Sequence, residues 1–345
     1  MEQENVVKRA VAAIGEGRPD DYVLAPTSHA QDLADKAPAL AGLLRTATIE
    51  TYTQQFERHD RAADDAQKRF KGAVTWANGA VFATGVLGAL IMVATILERP
   101  FGDAVMWVPL LALGLCALVV GALASMWLFR VREGQMLNDW MSERAHAETA
   151  RLAYFATLAE LPGDGPSELP LGLLKLEYFR RYQLDMQIAY YDQRRQQHRR
   201  SADRTLAIGG FAAALAAVAS GSAGIVASFH APWAALAALG VVGTALAAYA
   251  ATREATNQDR RNAERYGRTL SALEILRSRL DDVRTGVLAG SQEVLDEYVA
   301  AVHEQLSLEH REWLSGAEST RSAIGKLDET LAALNKGEAK AQGAG

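Results

Sequence analysis

The residues with the greatest chemical capacity in this chain are arginines. In YYDQRRQQHRRSADRT, Tyr190 to Thr205, five of them (Arg194, Arg195, Arg199, Arg200 and Arg204) run directly into the apolar stretch LAIGGFAAALAAVASG. A guanidinium offers a planar fork of donors that fits a phosphate or carboxylate with two parallel bonds, and a tyrosine face can stack a base. One reading is therefore an anionic-ligand site built from Arg194, Arg195 and Arg199, with Arg260 and Arg261 from further along the chain and Tyr190 and Tyr191 beside them. The other is a positive flank whose arginines snorkel to lipid phosphates and orient a membrane helix. Snorkelling accounts for Arg200 and Arg204, but on a straight helix Arg194 and Arg195 stand roughly 15 Å from the start of the apolar run.

No other constellation points to catalysis. SGSAG, Ser220 to Gly224, is too short for the Gly-x-Ser-x-Gly elbow and lies inside an apolar run. GKLDE at Gly325 has neither the upstream glycine nor the hydroxyl residue of a phosphate loop. His303-Glu304 opens like a zinc-protease helix, yet Ser307 stands where the second histidine is needed. Cys116 is the single cysteine, so neither an internal disulfide nor a cysteine metal site can form. The expectation is a protein that is not an enzyme, with no cofactor and no metal.

The elements that must position the arginines are set by charge-free segments. The chain carries a net charge of −5 and a mean hydropathy near zero. That average hides four stretches without Asp, Glu, Lys or Arg: Gly72–Leu97, Ala104–Phe129, Leu206–Phe229 and Ala231–Ala251. About 20 helical residues cross a bilayer core, so these predict four transmembrane helices in two hairpins. Trp107 and Trp127, about 30 Å apart on a helix, suit the two interfacial aromatic belts, although ordinary packing accounts for them as well. The opening residues MEQENVVKRAVAAIGEG predict no cleaved secretory signal.

Orientation follows from the basic residues near the span ends. Arg58, Arg61, Lys68, Arg69 and Lys71 precede the first span and Arg130, Arg132 and Arg144 follow the second. Arg194 to Arg204 precede the third, and Arg253, Arg260, Arg261, Arg265 and Arg268 follow the fourth. The hairpin tips, ERPFGD and HAP, carry one arginine between them. Both termini and the middle segment are thus expected in the cytoplasm, with no room outside for a receptor domain.

The layout repeats as polar helix, span, tight turn, span, polar helix. It predicts a cytoplasmic segment at 1–45, a first unit at 46–161, a linker PGDGPSELP at 162–170, and a second unit at 171–288. No proline occurs between Leu171 and Ala231, so a helix is expected from about Leu173 through the third span, and another from about Leu43 through the first. Such helices would make a long cytoplasmic stalk. Over 291–335 the residues Val299, His303, Leu306, His310, Trp313, Ala317, Thr320, Ile324, Leu327, Leu331 and Leu334 keep a 4,3 spacing, a coiled-coil seam. It serves either association between chains, with Val299, Leu306, Trp313, Ile324, Leu327 and Leu331 as contacts, or packing on the chain's own stalk. The tail 336–345 reads as disordered.

The paired spans with very short external turns, the aromatic-plus-arginine lead-in EYFRRYQLDMQIAYYDQRR and the charged exit helix resemble the SLATT family over about Thr51 to Leu280. Here the unit appears twice, as in tandem members. The resemblance implies a bacterial two-transmembrane effector of anti-phage systems, oligomeric in the inner membrane. It also implies a partner nucleotidyltransferase or SLOG-type sensor, whose nucleotide or oligonucleotide product is the signal. The fold expected is all-α and membrane-integral, and the partners are membrane lipids and further copies of the chain.

Along the third span Gly210, Ala213, Ala217, Ser220, Gly224 and Ser228 form a stripe of small residues. Such a stripe lets helices approach closely or lines a narrow pore. Uncharged spans argue against a proton-coupled transporter. The function expected is a gated pore, and the rival is a non-conducting scaffold that recruits partners through its cytoplasmic helices.

Overall fold

The computed structural model describes residues 2–17, 21–101, 103–133, 135–163, 168–226 and 238–312. It is all-α, with no strand among the described residues. Three short helices come first: α1 (Glu2–Ile14), α2 (Pro26–Asp32) and α3 (Pro38–Leu44). Proline opens α2 and α3, where its missing N–H costs nothing. Then follow α4 (Ala47–Phe101), α5 (Asp103–Glu133), α6 (Met136–Glu160) and α7 (Leu171–Phe179). A π-helical turn (Arg180–Asp185) leads into α8 (Met186–Val226). The chain continues through α9 (Ala238–Asn257), α10 (Asp259–Ser278), α11 (Leu280–Leu288) and a final helical run over 292–312, α12.

Three helical segments are long and apolar enough to cross a membrane: Ala47–Thr95, Trp107–Trp127 and Leu171–Ser222. The fourth expected span, Ala231–Ala251, is helical from Ala238 onward, and its first residues lie outside those described. The two long lead-in helices appear as the proline-free stretches require. Both exit segments, however, are interrupted. Gln135 between α5 and α6 and Gln258 between α9 and α10 have φ of 48° and 50°. A non-glycine residue with positive φ is uncommon. At Gln258 its N–H still closes on the Glu254 carbonyl at 2.7 Å, which ends α9 in the left-handed manner of a helix C-terminus.

The chain forms two compact units that do not follow chain order. The first comprises Met1–Ala66, Asn138–Gln197 and Arg261–Leu314. Its core is centred on α7, where every residue from Leu173 to Phe179 is buried. α1, α3 and α11 pack against that helix. Leu173, Leu174, Leu176 and Leu184 are fully enclosed, each contributing about 2 kcal/mol by removal from water. Two polar residues of α7 are enclosed as well, and both are satisfied. Lys175 Nζ donates to the Ala159 and Leu161 carbonyls at 2.8 and 2.6 Å, capping the C-terminal end of α6. Glu177 is held by arginines.

Residues 1–45, which carry no readable motif, close this unit. Arg180 donates to the Gly15 carbonyl at 3.0 Å, and Arg181 donates to the Ile14 carbonyl and grips Asp21 at 2.9 and 3.1 Å. The carbonyls at the C-terminal end of α1 thus meet the two guanidinia of the π turn, a favourable placement for positive charge.

The second unit comprises Gln67–Leu137 and His198–Arg260 among the described residues. Ala77, Val81 and Ala124 form a small cluster between α4 and α5, with Ala80 and Trp127 against it. α9 packs closely on α8. A Cβ on Gly243 would sit 2.9 Å from the Ala212 carbonyl oxygen, and one on Gly240 would sit 3.2 Å from Ala219. Small residues on both helices permit this approach.

Candidate functional site

The arginines proposed for an anionic ligand divide between the units. Arg194, Arg195 and Arg261 belong to the first, Arg199 and Arg260 to the second. Arg194 is partly exposed; its guanidinium lies 5.3 Å from the centre of the Tyr190 ring and donates to Gln197 at 3.2 Å. Arg195 is exposed, pairs with Asp192 at 2.8 Å, and runs its stem past Gly267 of α10. Arg199, Arg260 and Arg261 are exposed on their helices.

The two tyrosines differ. Tyr190 is partly exposed, and its ring stacks on Tyr22 at 6.0 Å with 20° between planes. Tyr191 is buried against Tyr266, and its hydroxyl donates to Glu309 at 3.2 Å. Its faces are occupied by protein, so within this unit Tyr190 is the one with access to solvent. Burial raises the Glu309 carboxyl above its ordinary range, against the opposing charge of Arg265 at 3.1 Å.

In the second unit, Asp259 at the start of α10 accepts from Ser201 at 2.5 Å and lies 2.6 Å from His198 Nδ1. Burial alone would raise this carboxyl, but the hydrogen bonds from His198 and Ser201 hold it below the ordinary value. The basic lead-in helix α8 is thereby tied to the start of the exit helix within this unit.

Of the small-residue stripe, Gly210, Ala213, Ala217 and Ser220 are exposed, because α9 packs on the neighbouring face at Ala212 and Ala219. Gly224 belongs to α8, and Ser228 lies outside the described residues. Of the heptad seam, Val299 and Leu306 are buried in the core of their own chain beside Leu295, Tyr298 and Val302. Trp313, Ile324, Leu327 and Leu331 lie outside the described residues, as does the tail 336–345.

Two groupings escape sequence reasoning. Arg151 on α6 is fully buried, its Nε donating to Gln183 at 2.9 Å under the rings of Tyr22 and Phe56. Its two terminal nitrogens and Gln183 Nε2 have no hydrogen-bond partner. The other grouping is His59, Glu143 and His146, whose ligand atoms all lie within 4.8 Å of one another, a set able to hold a metal ion. His59 and Glu143 are 84 residues apart in the chain, so no local spacing announces them.

Residues 179–313 match the family model described as SMODS and SLOG-associating 2TM effector domain 1, SLATT_1. No curated protein and no solved structure matches the chain. The match begins inside the aromatic-plus-arginine lead-in and takes in α8, α9, α10, α11 and α12; residues 46–161, expected to form a first unit of the same layout, lie outside it. The described residues also hold helices long and apolar enough to cross a membrane, as a two-transmembrane domain requires. From Phe179 to Trp313 the chain is similar to the SLATT family of two-transmembrane effector domains.

Proposed function

We propose that the protein is an oligomeric, gated pore-forming effector of a bacterial defence system. It sits in the inner membrane with both termini in the cytoplasm, and a nucleotide-type or oligonucleotide ligand, or a partner sensor, controls it from that side. The observation that carries this reading is the SLATT match laid over α8, whose small-residue face at Gly210, Ala213, Ala217 and Ser220 is exposed among the described residues. In an oligomer that face meets another copy in a closed state and lines a water path in an open one. The first copy, with the same layout and an exit segment broken at Gln135 as the second is at Gln258, acts as a tandem partner. Exposed Arg195 and Arg199 with partly exposed Arg194 receive the anionic signal next to Tyr190.

Ion flux through liposomes containing the purified full chain, with and without nucleotides or short oligonucleotides, tests the reading. Flux switched in either direction by an anionic ligand is expected. The triple change Arg194→Gln, Arg195→Gln, Arg199→Gln should then abolish the switch while leaving insertion unchanged. Absence of flux from correctly inserted oligomers would replace this reading with the non-conducting scaffold.

A further inference from the structure

Helices α4 and α6 bring two imidazoles and a carboxylate together at one place in the first unit. His59 Nδ1 lies 2.7 Å from Glu143 Oε2, and the His59 and His146 ring centres are 5.0 Å apart. Glu143 and His146 are three residues apart on α6 and so share a face. Glu-x-x-His is also the spacing by which a helix presents two ligands to one ion. A hydrogen bond between His59 and Glu143 explains two of the three groups but gives no reason for His146 to be there.

We propose that His59, Glu143 and His146 form a binding site for a divalent transition-metal ion of the zinc class, with solvent completing its coordination. Two imidazole nitrogens and one carboxylate oxygen suit zinc and its neighbours in the series, whereas magnesium and calcium require oxygen donors. Ligand bonds of about 2.0–2.2 Å place donor atoms roughly 3.3 Å apart around a tetrahedral ion. Donor atoms already within 4.8 Å reach that arrangement by small side-chain rotations, with the helices in place. The His59 and Glu143 side chains are 25% and 34% exposed and His146 is open to solvent, so an ion has a path in and a free position for water.

The neighbouring residues hold the frame. Asp60 and Arg144, each next in sequence to a ligand, pair across the helices at 3.0 Å, and Arg144 pairs again with Glu148 at 2.5 Å. These contacts set the register of α4 against α6 without the ion. A bound ion adds a second, stronger tie between the same helices. The site stands on side-chain geometry alone and is independent of the pore reading.

The test uses the purified full chain in detergent, with any affinity tag removed and metal stripped by a chelator. Zinc affinity is measured by competition with a chromophoric chelator, and Co²⁺ substitution is followed by its visible absorption. One site per chain with tetrahedral Co²⁺ bands is expected. His146→Gln should weaken zinc binding about 100-fold, since it removes one of three protein ligands. Because His146 is exposed, this variant should keep wild-type helicity. Zinc should also raise the melting temperature of the wild type but not of His146→Gln. A control change at the sequence-distant His29→Gln should leave affinity unaltered. Binding that is unchanged in the His59→Asn, His146→Gln double variant, or no stoichiometric binding at all, would overturn the assignment.

Discussion

Glu177 and Arg284, 107 residues apart in the chain, meet through two hydrogen bonds of 2.7 and 3.0 Å to the two oxygens of a carboxylate with no solvent exposure. Arg180 donates to the same carboxylate at 2.6 Å and also reaches Asp185 at 2.7 Å. Arg277 pairs with Asp185 at 3.0 Å, so four elements (α7, the π turn, α10 and α11) join in one ionic network. Removing one member of a buried set strands the charge of the others, which costs about 3–5 kcal/mol. Glu177→Gln should therefore lower the unfolding free energy of the full chain by that amount, read from the denaturant midpoint and slope. A loss under about 1 kcal/mol would mean that the network is not closed to water.

Arg151 is the opposite case. Its charge lies over the Tyr22 and Phe56 rings at 4.6 and 5.4 Å, but three donors of the Arg151–Gln183 pair are unanswered. Replacing incompletely paired buried polar groups with apolar groups of similar volume is often neutral or stabilising, by about 1–4 kcal/mol. Arg151→Met combined with Gln183→Leu should unfold at the wild-type midpoint or above it. An unfolding free energy several kcal/mol lower would show that these donors satisfy something in the protein in solution, such as a bound anion.

What was legible in the sequence was what depends on local period. Charge-free runs and proline-free stretches located the long helices, and the lead-in EYFRRYQLDMQIAYYDQRR carried the family resemblance that the match at 179–313 shares. The same letters did not reveal that Tyr178, Phe179 and Tyr182 form a core, because a run of Tyr and Arg reads equally as a membrane-facing collar. The 4,3 spacing at Val299 and Leu306 gave a seam but not its partner, since periodicity records which face is buried and not against what. The helix breaks at Gln135 and Gln258 were invisible because glutamine is no signal for positive φ. Pairs such as His59 with Glu143 depend on two helices meeting, which no one-dimensional pattern encodes.

His29 makes stability depend on pH in a definite direction. Its Nδ1 is 2.8 Å from the Tyr178 hydroxyl, which is 2.8 Å from that of Tyr154, and its ring stacks on Tyr182 at 4.0 Å. Burial depresses the imidazole to about 4, with Asp21 and Asp32 opposing the shift and Arg181 reinforcing it. Burial likewise brings His303 to about 4. The unfolded chain takes up these protons near pH 6.5 and the folded chain only near 4. Stability is therefore fully present above about 6.5 and falls as pH drops to about 4, by on the order of 3 kcal/mol for His29. Unfolding midpoints measured from pH 7.5 to 4.5 should decline, and His29→Gln should flatten the decline. An unchanged slope in that variant would remove His29 from the account.

Gly243 tests the helix contact that leaves the α8 stripe uncovered. A Cβ there would lie 2.9 Å from the Ala212 carbonyl oxygen, 3.0 Å from the Ala216 amide nitrogen and 3.2 Å from the Leu215 Cβ. Two of these neighbours are backbone, which cannot rotate away, so α8 and α9 must separate to admit a side chain. Gly243→Val should destabilise the detergent-solubilised protein by about 1–3 kcal/mol, the usual cost of overpacking. Gly209→Ala, on the same α8 with nothing within 4 Å of its Cβ, should be neutral or gain up to about 1 kcal/mol from helix propensity. Thermal unfolding of both variants separates a packing effect from a general response to lost glycine. Equal melting temperatures for the two would mean that the close approach at Gly243 does not hold α8 and α9 together. A selective loss at Gly243 would place the tight seam on the Ala212 face and leave Gly210, Ala213, Ala217 and Ser220 free to meet another copy.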